Sequence, residues 1–187
     1  MGTTPSAYIF DFDGVLVNTM EAHFACYRQA LQEAGVPIDR ARFYHQAGMT
    51  GREQIEYFAR QALKAVDVEA VYRRKGELFE SHIGEVRPIG CNARLMGILR
   101  AAGCRVAIAT GSSRKSTSPV IARYGLASDA VVTAEDVSQG KPNPDLFLAA
   151  AALLGVRPED CIVIEDSDVG IEAARRAGMR SMRFRDL

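Results

Sequence analysis

The sequence has 187 residues, of which 48% are hydrophobic and 25% charged, the balance of an ordinary globular protein. Its 23 basic and 23 acidic residues cancel, so the overall charge gives no reason to expect binding to nucleic acid or to an anionic membrane. No apolar run reaches the roughly 20 residues that span a bilayer, and the N-terminus lacks a signal-peptide pattern. The four cysteines have no metal-ligand spacing, and we expect reduced thiols in a cytoplasmic protein.

Four short apolar runs predict β-strands, and a fifth, weaker run follows near the C-terminus. The predicted strands cover residues 8–10, 104–110, 130–133, 161–164 and 181–184. Helical patterns separate the later runs, at residues 93–102, 114–124, 145–154 and 168–177. A glycine just past each of these helices suits the left-handed residue that commonly ends a helix. Alternating strands and helices predict an α/β fold with a doubly wound parallel sheet.

The stretch between the first two predicted strands carries mostly helical pattern. Its first segment has one apolar stripe, since Met20, Phe24, Tyr27 and Leu31 recur at steps of three and four residues. Further helical patterns follow at residues 40–47, 52–63 and 69–82. We therefore predict two domains. They are a core formed by residues 1–15 and 85–187, and an inserted helical domain formed by residues 16–84.

Polar side chains follow the predicted strands, at the edge of a parallel sheet where ligands bind. The groups expected at this edge are Asp11 and Asp13, Thr110-Gly111-Ser112, Lys141, and Glu165-Asp166. Asp11 and Asp13 have period-2 spacing, so both side chains face the same way in an extended backbone. Gly14 then lets the chain turn tightly beside them.

The residue types at this edge suit phosphoryl transfer. Clustered carboxylates repel one another unless a cation joins them, and such oxygen ligands favour Mg²⁺ together with a substrate phosphate oxygen. A hydroxyl followed by glycine offers an oxygen and N–H groups to a phosphate, and a lysine adds a positive charge. One carboxylate can attack phosphorus to form an aspartyl-phosphate while a second handles the leaving-group proton.

Four segments, in this order and spacing, resemble the motifs of the haloacid dehalogenase superfamily. They are Asp11-Phe12-Asp13-Gly14-Val15-Leu16, Thr110-Gly111-Ser112, Lys141-Pro142-Asn143-Pro144-Asp145, and Glu165-Asp166-Ser167 followed by Gly170-Ile171. More narrowly, the chain resembles the β-phosphoglucomutase-like phosphatases that carry a helical cap after the first motif. The resemblance runs from about Ala7 to Met179 and implies a Rossmann-like core with an inserted α-helical cap domain.

The resemblance also implies a role for each matching residue. Asp11 is expected to be the nucleophile, Asp13 the general acid/base and Lys141 a third catalytic residue. Mg²⁺ would be held by Asp11, the backbone carbonyl of Asp13 and Asp166, with Glu165 beside them. The residues expected to hold the phosphorylated substrate are Thr110, Gly111 and Ser112 on the core, and Arg52 and His23 on the cap.

Two features depart from the family pattern. Asn18 stands where family members often carry an acid, so a hinge or supporting role of that acid is not carried over. The sequence also ends soon after the fifth predicted strand, as in fructose-1-phosphate-type phosphatases, and this gives a mild indication of substrate.

These features predict a Mg²⁺-dependent phosphatase that hydrolyses a small phosphorylated metabolite, a sugar phosphate in the narrowest interpretation. We then expect the protein to bind a small-molecule phosphate ester and to bind neither nucleic acid nor a membrane. We expect it to be a monomer or a small homo-oligomer. The nearest alternative is a sugar phosphomutase of the β-phosphoglucomutase type. A signalling receiver domain fits less well, because receivers have no helical insert after the first strand. A catalytically silent binding protein is disfavoured by the complete set of acids, hydroxyl and lysine.

Overall fold

The computed structural model describes residues 6–184, which contain seven strands and eight α-helices. The strands are β1 (Ala7–Phe10), β2 (Val17–Asn18), β3 (Arg87–Pro88), β4 (Arg105–Ala109), β5 (Ala130–Val132), β6 (Cys161–Glu165) and β7 (Arg180–Arg183). The helices are α1 (Met20–Glu33), α2 (Arg40–His45), α3 (Gly51–Gln61), α4 (Val68–His82), α5 (Gly90–Ala101), α6 (Arg114–Tyr124), α7 (Asp145–Leu154) and α8 (Asp168–Arg176). None of these described helices is both long enough and apolar enough to cross a membrane.

Strand β1 lies at the centre of a five-stranded parallel sheet with the order β5-β4-β1-β6-β7. Alternate side chains of β1 enter different hydrophobic clusters, because successive residues of a strand point to opposite faces. Ile9 packs in the cluster that contains residues of α7 and α8, and Phe10 in the cluster that contains residues of α5 and α6. Helices thus cover both faces of the sheet, and the predicted doubly wound α/β fold is confirmed.

Most predicted boundaries lie close to the observed ones. The predicted helices 114–124 and 145–154 coincide with α6 and α7, and the four glycines expected to end helices all have positive φ. Helix α5 begins at Gly90, three residues before its predicted start. Gly90 and Asn92 are weak helix formers, so the first turn of α5 could not be predicted from its residues.

Helices α1 to α4 occupy the chain between β2 and β3 and enclose a hydrophobic cluster of their own, which includes Phe24, Leu31, Phe43 and Ile55. Phe79 of α4 belongs instead to the cluster on the α5 and α6 side of the sheet. Helix α4 therefore contributes to both parts of the molecule. The division at residues 16–84 remains a prediction, and the outermost parts of the predicted core, residues 1–5 and 185–187, lie outside the described residues.

The pairing of β2 with β3 was not predicted. Val17 lies opposite Pro88 and Asn18 opposite Arg87 in an antiparallel pair. Each strand has only two residues, too few for a periodic pattern to reveal. The pairing brings together the two chain segments that lead into and out of helices α1 to α4.

Candidate active site

The sheet brings the predicted strand-end residues to one edge. Asp11 directly follows β1, Thr110 directly follows β4, and Glu165 is the last residue of β6. Because β1 pairs with both β4 and β6, these three positions are neighbours. Lys141 reaches the same edge from the loop between β5 and α7.

Lys141 joins two of these strand ends by ion pairs. Its Nζ donates to Oδ1 of Asp11 at 2.5 Å and to Oε2 of Glu165 at 2.6 Å, and all three side chains are buried. Burial would lower the pKa of Lys141, but the charges of the two carboxylates hold it above its ordinary value. Burial likewise opposes ionisation of Glu165, yet Lys141 holds the pKa of that carboxyl below its usual range. The lysine therefore stays charged beside the predicted nucleophile.

A cluster of three carboxylates occupies this edge, formed by Asp11, Glu165 and Asp166, each with an oxygen within 4.8 Å of the others. Burial, followed by the charge of Glu165, raises the pKa of Asp11, and the same two causes raise the pKa of Asp166 to about 7. Three acids thus face one lysine, an excess of negative charge that a divalent cation would neutralise. The donor set fits the predicted Mg²⁺.

Two further contacts fix the shape of this cluster. Gly14 has φ +90°, and a Cβ there would lie 2.4 Å from Oδ2 of Asp166, so glycine allows the aspartate to approach the backbone. Oε1 of Glu165 accepts hydrogen bonds from the backbone N–H groups of Asp166 and Ser167 and from the Ser167 hydroxyl. Both oxygens of Glu165 are therefore occupied by protein donors, and this residue orients the loop that carries Asp166.

Asp13 faces a different set of groups from Asp11. Its Oδ1 accepts from the Thr19 hydroxyl at 2.5 Å and lies 3.1 Å from Nε2 of His23, while Oδ2 accepts from the hydroxyls of Thr110 at 3.1 Å and Ser112 at 2.7 Å. Burial would raise the pKa of Asp13, but the charge and hydrogen bond of His23, with those of Ser112 and Thr19, hold it well below its usual range. Asp13 is therefore held as a carboxylate, and its side chain does not belong to the acidic cluster.

The Thr110-Gly111-Ser112 loop lies between Asp13 and residues 16–84, which are called the helical segment below. Thr110 is fully buried, and its hydroxyl accepts from the backbone N–H of Ser112 at 3.0 Å. A Cβ on Gly111 would lie 2.7 Å from the carbonyl oxygen of Met49, in the loop between α2 and α3. The absence of a side chain at Gly111 thus allows the loop before α3 to contact the core at this point.

The two residues predicted on the cap are placed differently. His23 on α1 is buried, contacts Asp13 and stacks on Phe79 with ring centroids 4.2 Å apart. Arg52 on α3 is half-exposed and donates to both carboxylate oxygens of Glu69. His23 thus lies at the site, whereas the charged end of Arg52 is directed to a neighbouring helix and Arg52 does not line the cavity described below.

A cavity lies between the strand ends and the helices. Several of the residues that line it were not predicted from the sequence to belong to the site. Those on the helices include Tyr27, Gln54, Tyr72 and Lys75, which face Asp11, Asp13, Ser112 and Asp166 across the cavity. Lys75 is buried, with its Nζ 4.9 Å and 5.0 Å from the ring centroids of Tyr27 and Phe79. The available signal was the spacing of Tyr72 and Lys75, since residues three apart share a helix face.

Comparison with known proteins gives a consistent picture. A family model described as a haloacid dehalogenase-like hydrolase matches residues 5–178. β-Phosphoglucomutase of Bacillus subtilis is 32% identical over 183 residues, which cover 92% of this chain and 80% of that protein. Fructose-1-phosphate phosphatase YqaB of Escherichia coli is 32% identical over 182 residues, which cover 95% of each.

Solved structures share the fold over nearly the whole chain. A hydrolase from Pseudomonas syringae superposes with a TM-score of 0.87 at 26% identity, covering 94% of this chain and 83% of that one. CbbY from Rhodobacter sphaeroides, solved in complex with phosphate, gives a TM-score of 0.83 at 28% identity, covering 95% and 85%. With four motifs gathered at one sheet edge and a family model that spans most of its length, the chain belongs to the haloacid dehalogenase-like hydrolases.

Proposed function

We propose that the protein is a Mg²⁺-dependent phosphatase that hydrolyses a sugar phosphate or a similar small phosphate ester through an aspartyl-phosphate. The observation that carries this proposal is the pairing of Lys141 with Asp11, beside Asp166 and the hydroxyl loop at 110–112. A buried carboxylate, a fixed cation and phosphate-binding groups in one place are the parts that phosphoryl transfer requires. Relatives named fructose-1-phosphate phosphatase and hexitol phosphatase A support a phosphorylated carbohydrate as substrate.

The predicted metal set is Asp11, the backbone carbonyl of Asp13 and Asp166, with Glu165 adjacent. When bound there, Mg²⁺ would neutralise the acidic cluster and polarise a phosphoryl oxygen. Because both oxygens of Glu165 already accept protein hydrogen bonds, we assign Glu165 a positioning role rather than direct coordination.

The chemistry then follows from two carboxylates with different partners. An oxygen of Asp11 attacks phosphorus, and the bond from phosphorus to the alcohol oxygen breaks. Asp13 enters this step protonated and gives its proton to the leaving alcohol oxygen, which leaves the Asp13 carboxylate that its neighbours favour. Asp13 next removes a proton from water, which attacks the aspartyl-phosphate to release phosphate and restore Asp11. Thr110, Gly111, Ser112 and Lys141 hold the phosphoryl oxygens during both steps. The hydrogen bonds to Asp13 favour its carboxylate form, the form needed for the second step.

The helical segment 16–84 is proposed to act as a cap over this site. Its residues line one side of the cavity, and its loop at Gly48 and Met49 contacts Gly111. A cap in this position excludes bulk water from the aspartyl-phosphate and contacts the part of the substrate that differs from one ester to another.

The test is a Mg²⁺-supplemented screen of phosphorylated metabolites that measures released phosphate. Asp11→Asn should lower turnover of the best substrate by at least about 10³-fold, because the amide cannot act as the nucleophile. The matched control is Asp160→Asn, which lies before β6 at the opposite edge of the sheet and should retain activity. Substantial Mg²⁺-dependent hydrolysis by Asp11→Asn would rule out the assigned nucleophile.

A phosphomutase is the second candidate, favoured by the 32% identity to β-phosphoglucomutase and by the contact of His23 with Asp13. The two activities are separated by incubation with β-glucose 1-phosphate and a trace of the bisphosphate. Formation of glucose 6-phosphate identifies a mutase, and release of free phosphate identifies a phosphatase.

A further inference from the structure

The hydroxyl of Tyr72 is a buried polar group without a hydrogen-bond partner. Among the described residues, the only buried side-chain nitrogen or oxygen atoms in this condition are Oη of Tyr72 and Nδ1 of His23. His23 uses its other ring nitrogen to contact Asp13, whereas Tyr72 has only this one polar atom. Its hydroxyl lies beside Ser113 without a hydrogen bond of good geometry, and its ring lines the cavity. An unpaired buried hydroxyl is unfavourable, so a partner supplied by a ligand would satisfy it.

Two neighbours flank the Tyr72 ring in this position. The guanidinium of Arg52 lies over the ring, 4.3 Å from its centroid, and is itself fixed by hydrogen bonds of 2.5 Å and 2.9 Å to Glu69. On α3, the ring fills the space that a side chain at position 51 would need, since a Cβ on Gly51 would lie 2.4 Å from it. The hydroxyl is therefore directed by packing and does not move freely to another partner.

The surroundings of this hydroxyl indicate the kind of ligand group it meets. Tyr27 and Phe43 add aromatic surface to the same cavity, and Gln54 adds a buried amide. Aromatic rings beside scattered hydrogen-bonding groups suit a carbon skeleton that carries hydroxyl groups. Tyr72 belongs to α4, and its hydroxyl lies beside Ser113, the residue that follows the Thr110-Gly111-Ser112 loop. It would therefore meet a part of the ester close to that loop.

We propose that the Tyr72 hydroxyl hydrogen-bonds to an oxygen on the substrate's carbon skeleton and makes the enzyme selective for polyhydroxylated phosphate esters. Arg52 and Glu69 are then positioning residues that act through the Tyr72 ring, and Arg52 does not contact the substrate itself. This inference rests on the proposed phosphatase function and adds a residue that determines specificity.

The first experiment compares two esters of equal chain length, sorbitol 6-phosphate and n-hexyl phosphate, in the wild type and in Tyr72→Phe. The variant keeps the ring and removes only the hydroxyl, so the ratio of kcat/KM for the hydroxylated ester to that for the hexyl ester should fall about tenfold. An unchanged ratio overturns the inference. If the wild type hydrolyses no ester with Mg²⁺, the proposed function fails instead. In that case, calorimetry measures the affinities of wild type and Tyr72→Phe for the same two esters. The preference for the hydroxylated ester over the hexyl ester should fall in the variant, and an unchanged preference overturns the inference.

The second experiment tests whether Arg52 acts through Tyr72. Arg52→Leu should lower the same ratio when Tyr72 is present and should have no further effect in the Tyr72→Phe background. Arg74→Leu is the matched control, because Arg74 is also half-exposed and donates two hydrogen bonds to a glutamate, Glu33, away from the cavity. It should leave the ratio unchanged. Effects of Arg52→Leu that add to those of Tyr72→Phe would show direct substrate contact and overturn the positioning role.

Discussion

Two buried lysines near the site illustrate how the surroundings of a single residue decide its charge. Lys141 lies between two carboxylates, and those charges keep its pKa above the ordinary value. Lys75 lies over the rings of Tyr27 and Phe79, and no described carboxylate is within ion-pairing distance of its nitrogen. Burial lowers the pKa of Lys75 to about 8. It is still mostly charged at pH 7, so it adds positive charge to the cavity and destabilises the fold.

Lys75→Met should therefore stabilise the protein at pH 7 by about 1–3 kcal/mol, because the folded chain no longer buries this charge. Between pH 8 and the ordinary lysine pKa of 10.5, the unfolded wild type binds more protons than the folded one. Wild-type stability relative to the variant should therefore rise across this window, and the advantage of methionine should disappear near its upper end. Urea unfolding of both proteins at several pH values measures this difference.

The control for this prediction is Lys115→Met. Lys115 is mostly exposed and paired with Glu80, so its replacement removes no buried charge. It should show no stabilisation at pH 7. A Lys75→Met protein that is less stable than wild type at pH 7, or whose advantage grows with pH, would contradict the burial argument.

The candidate site contains residues that could be predicted from the sequence and residues that could not. Asp11, Thr110 and Glu165 could be predicted, because a strand in a parallel sheet fixes where its last residues lie. Tyr72 and Lys75 could not, since the side of a helix that faces the cavity depends on how α4 packs against α1 and the core. Arg52 illustrates the same limit, because its position at a helix start does not reveal that Glu69 holds its guanidinium.

At the scale of elements, the contact between α3 and α4 sets one wall of the cavity. Helix α3 begins with a capping box, in which Thr50 and Glu53 each satisfy a backbone N–H of the other. Gly51 follows directly, and there the ring of Tyr72 takes the place of a side chain. The sequence predicted both helices to within two residues of their observed ends. It did not predict the contact between them, because hydrophobic periodicity does not show how side chains of two helices fit together.

Gly51→Ala should destabilise the protein by about 1–3 kcal/mol, because its Cβ would lie 2.4 Å from the Tyr72 ring and 2.7 Å from the Tyr27 hydroxyl oxygen. Gly76→Ala is the matched change, within α4, where the new Cβ would have no atom within 4 Å other than those of adjacent residues and the helix's own backbone. It should stabilise the protein by about 0.5–1 kcal/mol through helix propensity. Urea unfolding compares the two, and equal stability of both variants would show that the Tyr72 ring does not occupy the place assigned to it.

At the scale of the whole molecule, the helical segment contacts both of the loops that we propose hold the phosphoryl group. The loop before α3 packs on Gly111, and Glu53 of α3 accepts a hydrogen bond of 3.1 Å from the backbone N–H of Gly140, next to Lys141. The sequence indicated a helical insert and a separate set of strand-end motifs. It could not indicate that one glutamate links them, because that contact joins positions 87 residues apart.

This link makes Glu53 the residue through which closure of the cavity can be tested. Glu53→Ala removes the acceptor of the Gly140 N–H and half of the capping box, so the Gly140 amide should exchange with solvent faster and KM should rise about three- to tenfold. Asp67→Ala is the control, because Asp67 caps the N-terminus of α4 by accepting from the backbone N–H of Ala70 and contacts neither the Gly111 loop nor the Gly140 loop. Both variants lose about 1 kcal/mol of helix capping, so a change confined to Glu53→Ala reports on closure rather than on stability. Unchanged exchange at Gly140 together with an unchanged KM would mean that the two parts are held together by apolar packing alone.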